Sequence, residues 1–160
     1  MSDRQKVLDK LDELGIEYDI IDHPAVFTVE DGDKLNIARY GDICKNLFLK
    51  DAKGLRYFLV VLDKDKKIDL KDLQGQLNSS RLSFAPEEIL NSLLHLSKGE
   101  VTPLAVMNDT EHLIEVVLDR GLEGKDRLGF HPNINTATLW ISFEDLKKFI
   151  QRNGNKIHFK

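Results

Sequence analysis

The sequence predicts a mixed α/β fold: one compact domain over residues 1–160, with a central mixed sheet flanked by helices. Three observations carry this. Segments of helical and of strand periodicity interleave without the strict alternation of an all-parallel sheet. No internal repeat and no low-complexity linker divides the chain. With 160 residues and 41% hydrophobic content, the chain is long enough to close a single core.

Each element has its own signal. Ser2 to Gln5 has the spacing of a capping box, and Val7, Leu8, Leu11 and Leu14 follow at helical spacing until Gly15 supplies a C-cap. Tyr18 to Ile21 reads as a short strand stopped by Asp22-His-Pro24, because proline cannot donate to a ladder. Thr28 to Asp31 resembles a helix start for a segment reaching about Arg39. Cys44 to Lys50 and Arg56 to Leu62 read as strands joined in a hairpin by the turn Asp51 to Gly54. Leu70 to Leu77 is expected to be helical, and Arg81 to Phe84 extended. Pro86-Glu-Glu88 opens the next helix, with carboxylates at the positive end of its dipole and Ile89, Leu93, Leu94 and Leu96 as the buried stripe. Three further strands are expected at Leu104 to Met107, Ile114 to Leu118 and Thr138 to Ile141. Ser142 then caps a last helix running to about Asn153, ended by Gly154.

Composition excludes several classes. The single cysteine allows no intramolecular disulfide framework, and the opening MSDRQKVLDK lacks the apolar stretch of a secretory leader. A reducing, cytoplasmic setting is the expectation. No apolar run approaches the roughly 20 residues needed to cross a bilayer, so no membrane partner is expected. A net charge of −4 and a pI near 5.7 argue against broad attraction to polyanions such as DNA and leave room only for a local basic patch. The run Asp63 to Lys67 mixes both signs and reads as a solvated turn.

The chain has no Walker loop, dinucleotide fingerprint, nucleophile elbow, or paired cysteines and histidines at metal spacing, so neither a metal nor a cofactor is expected. His95, on a leucine-rich helix, reads as a boundary residue. Two segments carry more. His131 lies in Gly129-Phe-His-Pro-Asn133, where the following proline biases it toward extended backbone and a defined direction. Gly99-Glu-Val-Thr-Pro103 offers a turn whose backbone N–H groups can point outward toward an oxyanion, although a plain connection satisfies the same residues. Cys44 with His131 would make a thiol nucleophile. In a strand, however, Cys44 and Lys45 point to opposite faces, and a buried structural thiol is the simpler reading.

Lys45-Asn-Leu-Phe-Leu49, Arg81-Leu-Ser-Phe84, Gly99-Glu-Val-Thr-Pro103 and Phe130-His-Pro-Asn-Ile-Asn-Thr-Ala-Thr138 occur in this order. Together they resemble the YbaK/ProX-type aminoacyl-tRNA deacylases, and within them the free-standing editing proteins that clear alanyl-tRNA(Pro). The similarity runs from about Lys6 to Gly154. It implies the compact mixed α/β editing-domain fold and a trans-editing hydrolase that cuts the aminoacyl ester of mischarged tRNA(Pro) without metal or cofactor. It also implies that Lys45 is the essential lysine, that the loop from Gly99 through Thr102 and Pro103 meets the aminoacyl end, and that His131 lines the pocket. Asn46, beside the lysine, and Asn135 and Thr136, in the last motif, join the binding set. Phe27, Val29, Leu47 and Val60 are candidate pocket walls, and Arg39, Lys50, Arg81 and Lys125 are candidate tRNA contacts.

An ammonium inside a strand is costly unless an anionic or strongly polar partner meets it, and the 3′ end of tRNA brings phosphate, hydroxyls and an ester carbonyl. The expected partners are the tRNA(Pro) acceptor end and, transiently, prolyl-tRNA synthetase or elongation factor. Two alternatives stay open: cysteinyl-tRNA(Pro) as the substrate, or a non-catalytic tRNA-binding module docked on a synthetase.

Overall fold

The computed structural model describes residues 2–25, 28–97 and 99–160, with the backbone alone at 29, 32, 33 and 38. The first helix, α1 (Asp3–Glu13), begins where Ser2 accepts a hydrogen bond from the Gln5 backbone. Strand β1 (Asp19–Asp22) follows. The segment expected as one helix to about Arg39 is instead α2 (Val29–Lys34) and a 3₁₀ turn (Ile37–Tyr40), separated where Asn36 takes a left-handed backbone. The hairpin expected next is present as β2 (Asp42–Lys50) and β3 (Tyr57–Asp63). Its turn is held by the Asp51 carboxylate, which accepts from the Leu55 and Arg56 N–H groups at 2.9 and 3.1 Å.

After α3 (Leu70–Gln76), the two-residue strand β4 (Ser83–Phe84) and α4 (Glu87–Leu94), two expectations are corrected. In α4 the buried positions are Leu90 and Leu94, while Ile89 and Leu93 are only partly covered. The expected strand Leu104 to Met107 is a 3₁₀ helix (Pro103–Asn108), because the Thr102 hydroxyl caps it and Pro103 sits at its first position. The chain continues through β5 (Ile114–Leu118), a short turn (Arg120–Leu122), β6 (Leu128–Phe130), β7 (Ala137–Ile141), α5 (Phe143–Asn153) and β8 (Ile157–Phe159). Strands β6 and β8 were not expected from the sequence.

The sheet runs β1-β7-β6-β2-β3-β5-β8, with β4 as an added partner of β2. Strand β3 occupies one edge of β2 along its length. The opposite edge is divided. Strand β6 runs parallel to its start (Asp42↔Leu128, Ile43↔Gly129), and β4 runs antiparallel to its end (Leu49↔Phe84, Lys50↔Ser83). Between them, Cys44 to Leu47 have no strand partner on that edge among the described residues.

The two faces of the sheet are covered unequally. Helices α1, α4 and α5 and the 3₁₀ helix bury Cys44, Phe48, Leu59, Val61, Leu128 and Leu139 on the first face. On the second face, α3 covers one end through Leu73 and Leu77, packed on Leu49, Phe58, Val60 and Leu62. Ile37 packs on Trp140 at the other end. Lys45 and Leu47 lie between these covers and are half-buried.

Candidate functional site

Alternation sorts the residues of β2. Cys44, Asn46 and Phe48 share the first face, while Ile43, Lys45, Leu47 and Leu49 share the second. The register agrees, since Lys45 lies opposite Leu62 and Leu47 opposite Val60, both residues of the second face. The register with β6 places Ile43 beside Gly129, and two residues further along each parallel chain come Lys45 and His131. Gly129 and Ile43 both meet the Trp140 side of the sheet: a Cβ on Gly129 would lie 2.7 Å from the Trp140 ring and 3.0 Å from Ile43. His131 is the first residue beyond β6, and alternation continued from Gly129 directs it to the Lys45 face.

The His131 imidazole is half-buried. Its Nδ1 lies 3.1 Å from the Ala137 carbonyl and donates to it, which leaves Nε2 as an acceptor. Burial holds its pKa below the ordinary 6.5 and nearby His23 pushes the same way, while the Ala137 carbonyl and Glu100 oppose the shift. The ring is thus neutral at neutral pH. His23 stands 6.3 Å from it between ring centres. The His23 Nδ1 donates to the Pro24 carbonyl and its Nε2 accepts from the Thr138 hydroxyl, each at 2.8 Å. Sequence reasoning passed over His23. A visible signal was that His-Pro occurs twice, at 23–24 and 131–132, each imidazole being directed by its proline.

The loop from Gly99 to Pro103 reaches this region from the other side. Gly99 has φ +89, a conformation that favours glycine, and the Glu100 N–H closes a turn on the Ser97 carbonyl. Glu100 is near enough for its charge to act on His131. Asn46 fixes the loop: from the first face, its Nδ2 donates to the Val101 carbonyl at 3.1 Å. Asn46 therefore does not stand beside the Lys45 ammonium; it tethers the loop across the open edge of β2. Thr102 and Pro103 are buried, and the Thr102 hydroxyl accepts from the Leu104 N–H.

The other predicted residues divide. Val60 is buried on the Lys45 face, Asn135 is half-buried and Thr136 exposed; the Thr136 carbonyl accepts from the His23 N–H. Phe27 and the Val29 side chain lie outside the described residues. Arg39 stacks on Tyr40, Lys125 pairs with Asp42 at 3.4 Å, and Lys50 is half-buried. Arg81 is exposed, and neither its side chain nor that of Lys45 makes a hydrogen bond or ion pair among the described residues. Cys44 belongs to the first-face core; burial pushes its thiol pKa far up, with Asp63 and Asp42 adding to the rise, and it faces away from His131. It is no nucleophile paired with that histidine. A cavity of about 260 Å³ under α3 also opens on the second face, with Val60 and Leu62 in its lining, but neither Lys45 nor His131 lines it.

Residues 23–149 match the profile described as aminoacyl-tRNA editing domain. The chain belongs to that family and is an enzyme of the aminoacyl-tRNA deacylase class, a hydrolase. Among particular proteins, it is 49% identical to the prolyl-tRNA editing protein ProX of Acetoanaerobium sticklandii, over 97% of this chain and 94% of that one. It is 39% identical to the prolyl-tRNA synthetase associated domain-containing protein 1 of Danio rerio, over 92% of this chain and 81% of the relative. In fold it superposes on a crystal structure described as a candidate trans-editing enzyme for prolyl tRNA synthetase, with a TM-score of 0.75 at 19% identity, covering 99% of this chain and 96% of that one.

Proposed function

We propose that the chain clears mischarged tRNA(Pro) in trans, hydrolysing the ester between a small amino acid and the terminal ribose, with alanyl-tRNA(Pro) as the substrate. What supports this reading is the placement of Lys45 on the β2 edge just past its ladder with β6, of His131 just past the end of β6, and of the Gly99–Pro103 loop tied to Asn46 of the same strand. The relatives named as prolyl-tRNA editing and prolyl-tRNA synthetase associated proteins support tRNA(Pro) as the RNA.

In this reading Lys45 grips the phosphate and hydroxyls of the terminal nucleotide and holds the ester in register. A half-buried ammonium with no ion-pair partner among the described residues is suited to an incoming anion. Backbone N–H groups near Gly99 polarise the carbonyl, and the free terminal ribose hydroxyl helps to activate water. Water adds to the ester carbon, the bond to the ribose oxygen breaks, and that oxygen takes the proton, releasing the amino acid and a 3′-hydroxyl end. Neutral His131 presents Nε2 as an acceptor for a substrate hydroxyl or the attacking water.

Two buried amide oxygens, Asn46 Oδ1 and Asn133 Oδ1, have no hydrogen-bond partner among the described residues. An unmet buried acceptor costs about 1–3 kcal/mol. Asn133 sits on the segment that follows His131, and its Oδ1 suits an ammonium or hydroxyl of the substrate, while Asn46 acts on the site through the loop it tethers. A synthetase built for proline rejects a smaller side chain poorly, because each missing methylene changes binding by only about 1–3 kcal/mol, so a second, tight site corrects the error. Leu47 and Val60, beside Lys45, are the walls that set the size limit.

A deacylation panel tests the substrate: alanyl-tRNA(Pro) should be cut and prolyl-tRNA(Pro) spared. Preferential cutting of the cysteinyl or seryl ester would replace alanine by that amino acid.

A further inference from the structure

Phe84 is a large aromatic residue that the fold does not use. It is 62% exposed, whereas its cross-strand neighbour Leu49 is fully buried and Leu82, two residues before it, is 4% exposed. Directly paired residues share a face, so Phe84 projects on the side of Leu49, the face that also carries Lys45 and Leu47. Four residues of strand separate Lys45 from the position of Phe84, roughly 13 Å at a strand's rise. That is the span of a few stacked nucleotides at about 3.4 Å each.

The surroundings suit RNA. Phe84 sits on the short strand beyond the gap in the β2 edge, with the half-buried stretch from Lys45 to Leu47 leading to it. Arg81, three residues before it, is exposed and unpaired among the described residues, and Lys50, opposite the adjacent Ser83, stands at the same sheet edge but on the other face from the ring. Glu87 and Glu88 begin α4 beyond Pro86, so the contact fitted to the ring is a neutral base face, with phosphates left to the Arg81 and Lys50 side. An exposed ring beside cations is how proteins hold unpaired nucleotides, since every base has a stacking face.

We propose that Phe84 is a stacking platform for an unpaired base upstream of the terminal adenosine, and that it measures the distance from that base to the ester at Lys45. This rests on the reading of Lys45 given above. Three proteins should be compared, wild type, Phe84→Leu and Phe84→Trp, on alanyl-tRNA(Pro) and on 3′-O-alanyl-adenosine, which lacks every upstream nucleotide. Filter binding of uncharged tRNA(Pro) is measured alongside.

For Phe84→Leu, KM on alanyl-tRNA(Pro) should rise about tenfold with kcat kept, tRNA binding should weaken in parallel, and hydrolysis of alanyl-adenosine should not change. Phe84→Trp should retain wild-type behaviour. An unaltered KM and tRNA affinity in Phe84→Leu overturns the platform, as does an equal loss on both substrates, which would place the ring at the ester. A loss seen only when prolyl-tRNA synthetase is added also overturns it, by making the ring a protein contact. If instead no protein cuts either ester while Phe84→Leu still weakens tRNA binding, the platform stands and the catalytic reading of Lys45 fails.

Discussion

Lys45 and Asn46 are neighbours with separate tasks, because a strand sends successive side chains to opposite faces. Asn46 spends its amide on the Val101 carbonyl, so its effect on the reaction passes through the loop. In Asn46→Ala, loss of this bond should lower stability by about 0.5–1.5 kcal/mol in chemical denaturation. Turnover should fall while the mutant stays folded, as the freed loop loses its register. His131 gives a pH prediction. Its folded pKa lies below 6.5, so the imidazole stays neutral as pH falls through the range where an ordinary histidine protonates. The acid limb of kcat/KM for alanyl-tRNA(Pro) should therefore have its midpoint below 6.5, and a limb centred at or above that value would remove neutral His131 from the mechanism. Cys44→Ser should keep full deacylase activity, since the thiol faces the α1, α4 and α5 core; loss of turnover in a folded variant would contradict this placement.

At the scale of elements, the site depends on where β6 meets β2. Two ladder pairs fix that register, and the strands then part, which opens the edge beside Lys45. Gly129 makes the approach possible, because any side chain there would strike the Trp140 ring. Gly129→Ala should cost about 1–3 kcal/mol by overpacking and reduce activity with it, read from a thermal melt and a deacylation assay on the same sample.

Much of this level was legible in the sequence. The hairpin, the caps at Ser2 and Ser142 and the last helix were marked by strong local signals. The Leu104 to Met107 segment misled because a short apolar run fits a buried strand and a buried helix equally; Thr102-Pro103 was the mark of the latter. Strands β6 and β8 have three residues each, too few to show a period. That the segments leading to Lys45 and to His131 pair side by side was out of reach, because it comes from parallel pairing of segments over eighty residues apart, and no local pattern encodes that pairing.

Across the whole molecule, a net charge of −4 suits RNA binding only at a local site, and some charges elsewhere are matched in pairs. The Arg56, Glu115 and His158 cluster is such a matched set. It ties the β3 start to β5 and to the C-terminal strand β8, with a two-point Arg56–Glu115 contact at 2.9 Å and His158 Nε2 2.9 Å from the same carboxylate. Burial alone would raise the Glu115 pKa, but hydrogen bonds from Arg56 and His158 overcome it and hold it below 4.5. A carboxylate lowered in this way contributes stability that is complete above 4.5 and is lost as pH falls through its folded value. Glu115→Gln should therefore lower stability at neutral pH and flatten the fall below 4.5; an unchanged acid limb would show that the cluster contributes nothing to acid stability.

The central claim is that the ammonium of Lys45 positions the ester. Its most direct test is the single-turnover rate of alanyl-tRNA(Pro) hydrolysis in Lys45→Ala, with folding checked by circular dichroism. A fall of at least about a hundredfold in a folded variant is expected. A wild-type rate in that variant would contradict the account.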